Sequence, residues 1–194
     1  MSLADLKRVY MVLCVILGLV IISPSLFAVV SLPKGEQFSE LYILDSEHML
    51  NIPSQIKPNS SYKVYLGIGN HMGETESYLV YAKLRNQTEP LPDSIAGTPS
   101  SLAPIFEFRV ILTANEIWEK EAIFSFDNIS INGNVCKVSD LSINGQSVRV
   151  DKVAVENNGF IYQLFFELWI YNRTSSDFEF HNRSVGFNLN LTET

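Results

Sequence analysis

The chain has 194 residues, of which 46% are hydrophobic and 18% are charged, and its formal net charge is −7. A chain this apolar is not intrinsically disordered, and its length corresponds to one domain with a small addition. Its acidic balance lacks the cluster of Lys and Arg that binds phosphates, so we expect no nucleic-acid partner.

A long uncharged segment follows the first eight residues. Residues 9–30 contain no charged side chain, and as a helix rising about 1.5 Å per residue they reach roughly 33 Å, enough to cross a bilayer core. Lys7 and Arg8 precede the segment, which places residues 1–8 in the cytoplasm and the rest of the chain outside. We predict a signal-anchor transmembrane helix at 9–30, in contact with membrane lipid of the cell membrane. The small residues at 23–25 leave a cleaved signal peptide as an alternative.

Glycosylation sequons occur only after this segment. Random placement of the 15 Asn and 28 Ser or Thr residues would give roughly two sequons. The sequence has six, at Asn59, Asn86, Asn128, Asn172, Asn182 and Asn190. The excess indicates N-linked glycans on an exported, extracellular region.

The two cysteines give no internal disulfide. Cys14 lies within the uncharged segment, and Cys136 lies in the exported part. We interpret Cys136 as a small buried hydrophobic residue, with an intermolecular disulfide or a reactive thiol as the alternative.

After a linker at 31–37, residues 38–194 are predicted to form a β-domain. Apolar and polar residues alternate in short runs separated by Gly, Asn, Pro and Ser, which is typical of strands. The spacing favours an antiparallel, immunoglobulin-like β-sandwich. Asn-Gly pairs at 132–133, 144–145 and 158–159 predict type I′ hairpin turns. Strands are predicted at 38–44, 62–70, 78–84, 105–112, 118–126, 129–138, 141–150, 160–171, 178–180 and 185–191.

Two segments depart from an ordinary sandwich surface. Residues 87–104 contain four prolines and little periodicity, which predicts a long loop. The strand at 160–171 is apolar on both faces, so both faces need a cover. Its second face carries a candidate contact surface of Phe165, Trp169 and Tyr171, covered either by the loop, by the region of Trp118, or by a partner protein.

No constellation in the sequence predicts catalytic, cofactor-binding or metal-binding residues. The histidines His48, His71 and His181 share no ligand spacing with each other or with Cys136. We interpret residues 70–74 as a solvated turn, with acid–base chemistry as the alternative. The acidic residues around Trp118, at 116, 119 and 121, are interpreted as protection of a strand edge, with cation or sugar binding as the alternative.

Three runs of the sequence resemble a known family. The run YKVYLGIGNH at 62–71 followed by ESY at 76–78, the run FELWIYN at 166–172, and LNLT at 189–192 are similar to an uncharacterised archaeal membrane-protein family that is known only as a domain of unknown function. The resemblance spans about residues 38–192. It implies an archaeal cell-surface protein with an exported β-sandwich, and it supplies no activity and no functional residues.

These features together predict a non-enzymatic, membrane-anchored cell-surface glycoprotein that binds another envelope or membrane protein and needs no cofactor. One alternative is a secreted filament or surface-layer subunit, assembled by addition of a strand such as 38–44 to a neighbour after signal-peptide cleavage. Another is an accessory subunit of a membrane enzyme or transporter.

Overall fold

The computed structural model describes residues 3–30, 36–156 and 159–191, and the chain divides into two compact units. The first unit, Met1–Glu36, contains the helix α1 (Leu3–Val30). Apolar side chains around this helix are exposed, including Tyr10 and Leu13. Within the described part of the chain, no helix combines the length and apolar character that crossing a membrane requires.

The second unit, Gln37–Thr194, is built from strands in two sheets. The first sheet has the order β1-β3-β6-β7-β8, and the second sheet has the order β2-β10-β9-β4-β5. The predicted all-β class is therefore confirmed. The strands are β1 (Phe38–Leu44), β2 (Gln55–Ile56), β3 (Ser61–His71), β4 (Glu76–Asn86), β5 (Phe106–Leu112), β6 (Ile117–Asn132), β7 (Val135–Ile143), β8 (Gln146–Val155), β9 (Phe160–Asn172) and β10 (Asp177–Leu191).

The two sheets share one hydrophobic core. Alternation along β3 buries Val64, Leu66 and Ile68, each with 0% exposure, because every second side chain of a strand points to the same face. Leu164 and Phe166 of β9 join them in the same cluster. The alternating pattern in the sequence thus corresponds to the inner faces of a layered, two-sheet domain.

The hairpins of the first sheet correct two predicted strands. The predicted strands 129–138 and 141–150 ran through turns, whereas β6 ends at Asn132 and β7 ends at Ile143. Asn144 and Gly145 both have positive φ, 50° and 80°, as a type I′ turn requires. The other hairpin differs, because Gly133 and not Asn132 begins the turn and has positive φ.

Two further details differ from the prediction. The strand β2 was not predicted, and its pairing with β10 over two residues is parallel. Predicted strands 178–180 and 185–191 are one strand, β10, interrupted by an irregularity between Phe180 and Arg183. The third Asn-Gly pair includes Asn158, which lies outside the described residues.

Candidate functional site

A buried ion pair on the second sheet fixes the long loop at 87–105, which connects β4 to β5. Lys83 of β4 and Glu167 of β9 are 3% and 0% exposed. Lys83 Nζ donates to Glu167 Oε2 at 2.7 Å and to the backbone oxygen of Ser100 at 2.8 Å. The backbone N–H of Ser100 donates to Glu167 Oε1 at 2.7 Å. We call these three residues the loop clasp.

The loop clasp explains how β9 can be apolar on both faces. Its first face belongs to the shared core, and the loop lies over the second face at Glu167. Both carboxylate oxygens of Glu167 accept hydrogen bonds, so its buried charge is compensated. The sequence indicated the loop as one possible cover but not Lys83, whose only signal was a charge between the apolar residues Ala82 and Leu84 of β4.

The structure separates the three residues of the predicted contact surface. Phe165 is 1% exposed and is therefore unavailable to a partner, which corrects that part of the prediction. Trp169 is partly buried between Tyr81 and Phe180, with ring centroids 5.5 and 6.0 Å away. Tyr171 remains 37% exposed. Phe165 lies between its register partners Lys83 of β4 and Gly186 of β10.

The tip of the loop is ordered and presents an apolar side chain. Asp93 and Thr98 exchange backbone hydrogen bonds of 2.8 and 2.9 Å. Asp93 Oδ1 accepts hydrogen bonds from the backbone N–H groups of Ile95 and Ala96, each at 2.9 Å. The side chain of Ile95 is fully exposed, and Leu91 is 45% exposed. A preformed apolar tip is suited to contact with another protein because little ordering entropy is lost on binding.

Three sequons lie at exposed positions with positive φ. Asn59, Asn128 and Asn182 have φ of 56°, 51° and 54°, and all three residues are exposed. Asn tolerates this left-handed conformation at turns and bulges. The Nδ2 of Asn128 donates to Asp140, a contact that opposes its modification. Asn59 lies in the turn before β3, and Asn182 lies at the irregularity within β10, near Gly97 of the loop.

The other three sequons are more constrained. Asn86 Nδ2 donates to the backbone oxygen of Val153 at 2.9 Å, and Asn172 Nδ2 donates to Glu179 at 2.8 Å. Asn190 packs against Gly159, where a Cβ would lie 2.2 Å from Asn190 Oδ1. A glycan is attached through Nδ2, so these contacts oppose modification of the folded chain.

The acidic residues near Trp118 are partnered by their own chain. His48 Nδ1 lies 3.0 Å from Glu119 Oε1, and Tyr65 donates to Glu121 Oε1 at 3.0 Å. Glu116 accepts hydrogen bonds from the backbone and side chain of Thr113, which lower the pKa of its carboxyl group. In the described residues, no group of three or more His, Cys, Asp or Glu side chains is placed to hold a metal ion.

The segment at 70–74 is not simply a solvated turn, because Asn70 is completely buried. Its Nδ2 donates to the backbone oxygens of Glu74 and Leu112 at 2.8 and 2.9 Å. Its Oδ1 accepts hydrogen bonds from Met72 N–H and from the Tyr78 hydroxyl, at 3.0 and 3.1 Å. Asn70 therefore joins the β3–β4 connection to the end of β5, a structural role. The remaining histidines lie apart: His71 faces Glu40 at 3.6 Å, and burial lowers the pKa of His181.

Cys136 is buried, with 0% exposure, in the shared core. The Tyr162 hydroxyl donates to the backbone oxygen of Cys136 at 2.8 Å. Burial raises the pKa of the Cys136 thiol and, more strongly, that of the Tyr162 phenol. A protonated, buried thiol has little nucleophilic reactivity.

Comparison with known proteins gives one family. The family model described as Domain of unknown function (DUF1616) matches residues 32–138, which is more than half of the chain. No curated protein matches the chain.

Similarity to solved structures is low. A β-glucosidase from Listeria innocua in complex with glucose is 12% identical with a TM-score of 0.41, and a mutant of it in complex with laminaribiose is 11% identical with a TM-score of 0.41. The alignments cover 82% of this chain but only 17% of either β-glucosidase chain. The ASH/PapD-like domain of human CEP192 is 9% identical with a TM-score of 0.30, covering 79% of this chain and 84% of that domain.

Proposed function

This chain belongs to the DUF1616 family, and we propose that it is a non-enzymatic cell-surface glycoprotein, anchored in the membrane, that binds another envelope or membrane protein. Residues 1–8 would be cytoplasmic, residues 9–30 would cross the cell membrane once, and the β-domain would be extracellular. The observation that carries this proposal is the distribution of sequons. All six follow the uncharged segment, and half of them occupy exposed positions with positive φ.

The anchor is supported by residues 9–30 taken as a whole. This uncharged segment lies in α1, a continuous helix of 28 residues. An uncharged helical segment of this length reaches about 33 Å, close to the thickness of a bilayer core. The basic pair Lys7 and Arg8 favours a cytoplasmic N-terminus.

We further propose that the β-domain is an immunoglobulin-like sandwich. The chain passes from one sheet to the other five times: between β1 and β2, β2 and β3, β3 and β4, β5 and β6, and β8 and β9. Repeated crossing of this kind supports a Greek-key sandwich. An experimental structure with any of these strand pairs adjacent in one sheet would overturn the assignment.

Partner binding is supported by the loop. The loop clasp orders a segment that would otherwise be mobile, and Ile95 at its tip contacts solvent. Exposed apolar side chains on an ordered loop are a common means of contact between proteins.

The test is intact mass spectrometry of the protein purified from its native membrane. We expect a mass that includes residues 1–30 together with added sugar. Asn59→Gln and Asn182→Gln should each remove one glycan mass, whereas Asn190→Gln should leave the sugar content unchanged. An unmodified chain would overturn the glycoprotein proposal, and a chain beginning after residue 22 would favour the secreted subunit.

A further inference from the structure

We propose that two copies of this chain associate through antiparallel pairing of β5 with β5, about a twofold axis at Phe108. The second sheets of the two copies would then form one continuous sheet. This inference does not depend on the proposed surface function.

The strand β5 ends the second sheet. It pairs with β4 from Phe106 to Leu112, without a shift of register, and β4 is its only neighbour in the sheet order of the described chain. Alternate backbone N–H and C=O groups on its other side therefore point away from the sheet. Such an edge is a template for another strand.

The other sheet edges are less suited to pairing. The edge strand β8 has a register shift opposite β7, between Val138 and Asp140, and Asp151 has a φ of 45°. Bulges of this kind protect an edge from adding strands. The edge strand β2 has only two residues and covers only the end of β10, and the rest of β10 is interrupted by a register shift between Phe180 and Arg183. The edge strand β1 is regular, but Glu40 is its only charged residue, so antiparallel self-pairing of β1 offers no opposite charges.

The sequence of β5 is complementary to itself in charge. An axis at Phe108 places Glu107 opposite Arg109 of the second copy, and Arg109 opposite Glu107 of the second copy. Within one copy, Arg109 Nε already donates to Glu107 Oε1 at 3.0 Å. The Arg109 guanidinium also lies over the Phe178 ring, 5.7 Å from its centroid. Both side chains remain about half exposed, at 59% for Arg109 and 49% for Glu107, so a second strand can reach these charges.

The register with its axis at Phe108 also pairs apolar side chains of the two β5 strands. Phe106 and Val110 are partly buried and pack against the hydrophobic core. The axis places Phe106 of one copy opposite Val110 of the second copy, and the reverse. Cross-strand pairs between aromatic and β-branched side chains stabilise sheets. No sequon occurs between residues 87 and 127, so no N-linked glycan would be attached to this edge.

The test measures the molar mass of the full chain in detergent by analytical ultracentrifugation across micromolar concentrations. We expect a dimer. Glu107→Arg or Arg109→Glu alone should weaken it by about tenfold or more, because each variant places like charges opposite each other twice. The double variant Glu107→Arg/Arg109→Glu should restore dimerisation, and Arg149→Glu on the β8 edge is the matched control, expected to have no effect.

The double variant distinguishes lost pairing from lost folding. A monomeric wild-type protein, or a dimer that is unaffected by the single reversals, would overturn the proposal. So would a double variant that remains as weak as the single ones. Cross-linking adds a second measurement: in a Cys14→Ser background, Glu107→Cys mixed with Arg109→Cys should form a disulfide-linked dimer under oxidation. Failure to cross-link would also overturn the proposed register.

Discussion

Lys83 and Glu167 are 84 residues apart in the sequence, yet they form a 2.7 Å ion pair whose members are almost completely buried. The removal of two charges from water is costly, and their mutual attraction offsets the cost only when the remaining polar groups are also satisfied. Here the backbone of Ser100 supplies both a donor and an acceptor. The same contacts therefore hold the loop against the sheet and compensate the buried charges.

The loop clasp gives a prediction for stability. Lys83→Met should destabilise the domain by about 3–5 kcal/mol, because it leaves the Glu167 carboxylate buried without a cation. The double variant Lys83→Met/Glu167→Leu should be more stable than Lys83→Met alone, since it removes both charges. Urea unfolding followed by circular dichroism measures both differences. Equal stability of the single and double variants would contradict the stated role of the ion pair.

The loop tip gives a prediction for binding. If the chain binds an envelope protein as proposed, Ile95→Asp should reduce that association without loss of stability, because its side chain is fully exposed and contacts at interface centres are apolar. Leu50→Asp is the matched control, since Leu50 is 84% exposed on a different connection. Cross-linking in native membranes, followed by gel analysis of the adducts, measures association. Loss of the same adducts in both variants would show that the tip has no special role.

The patterns that sequence reasoning interpreted correctly are local. Alternation in β3 is visible within a few residues, and the positive φ of Asn144 and Gly145 follows from their own chemistry. The loop clasp is not local, because nothing near Lys83 indicates that Glu167 lies beside it. The two-residue strand β2 carries no periodicity and forms only because β10 is adjacent. The burial of Phe165 was not visible in the sequence either, because its neighbours across the sheet, Lys83 and Gly186, are distant in the chain.

Cys136 gives a prediction for reactivity and pH. Burial raises the pKa of its thiol in the folded state, so the folded protein holds the proton more tightly than the unfolded chain. This pKa difference contributes to the free energy of unfolding. The contribution is fully present below the pKa of the unfolded thiol, about 8.5, and is lost as the pH rises through the pKa of the folded thiol. Wild-type protein should therefore lose more unfolding free energy between neutral and alkaline pH than Cys136→Ala.

Thiol labelling provides the control for this prediction. In a Cys14→Ser background, iodoacetamide should modify Cys136 only after urea is added, because the folded side chain is buried. Rapid labelling of the folded protein, or identical pH profiles for wild type and Cys136→Ala, would contradict the buried environment.

Asn70 gives a prediction for the stability of the buried hydrogen-bond network. Asn70→Ala should destabilise the domain by about 2–4 kcal/mol, because it leaves the backbone oxygens of Glu74 and Leu112 without their donor. Asn188→Ala is a matched control at an exposed position and should change stability by less than about 0.5 kcal/mol. Chemical denaturation measures both variants. Hydrogen exchange should also show faster exchange of the Asn115 N–H, which donates to the Asn70 backbone oxygen at 2.7 Å. That backbone bond remains in the variant, but the β5–β6 connection loses the support of the side-chain hydrogen bonds to Leu112 and Thr113. A variant as stable as wild type would show that this buried amide does not join the two connections.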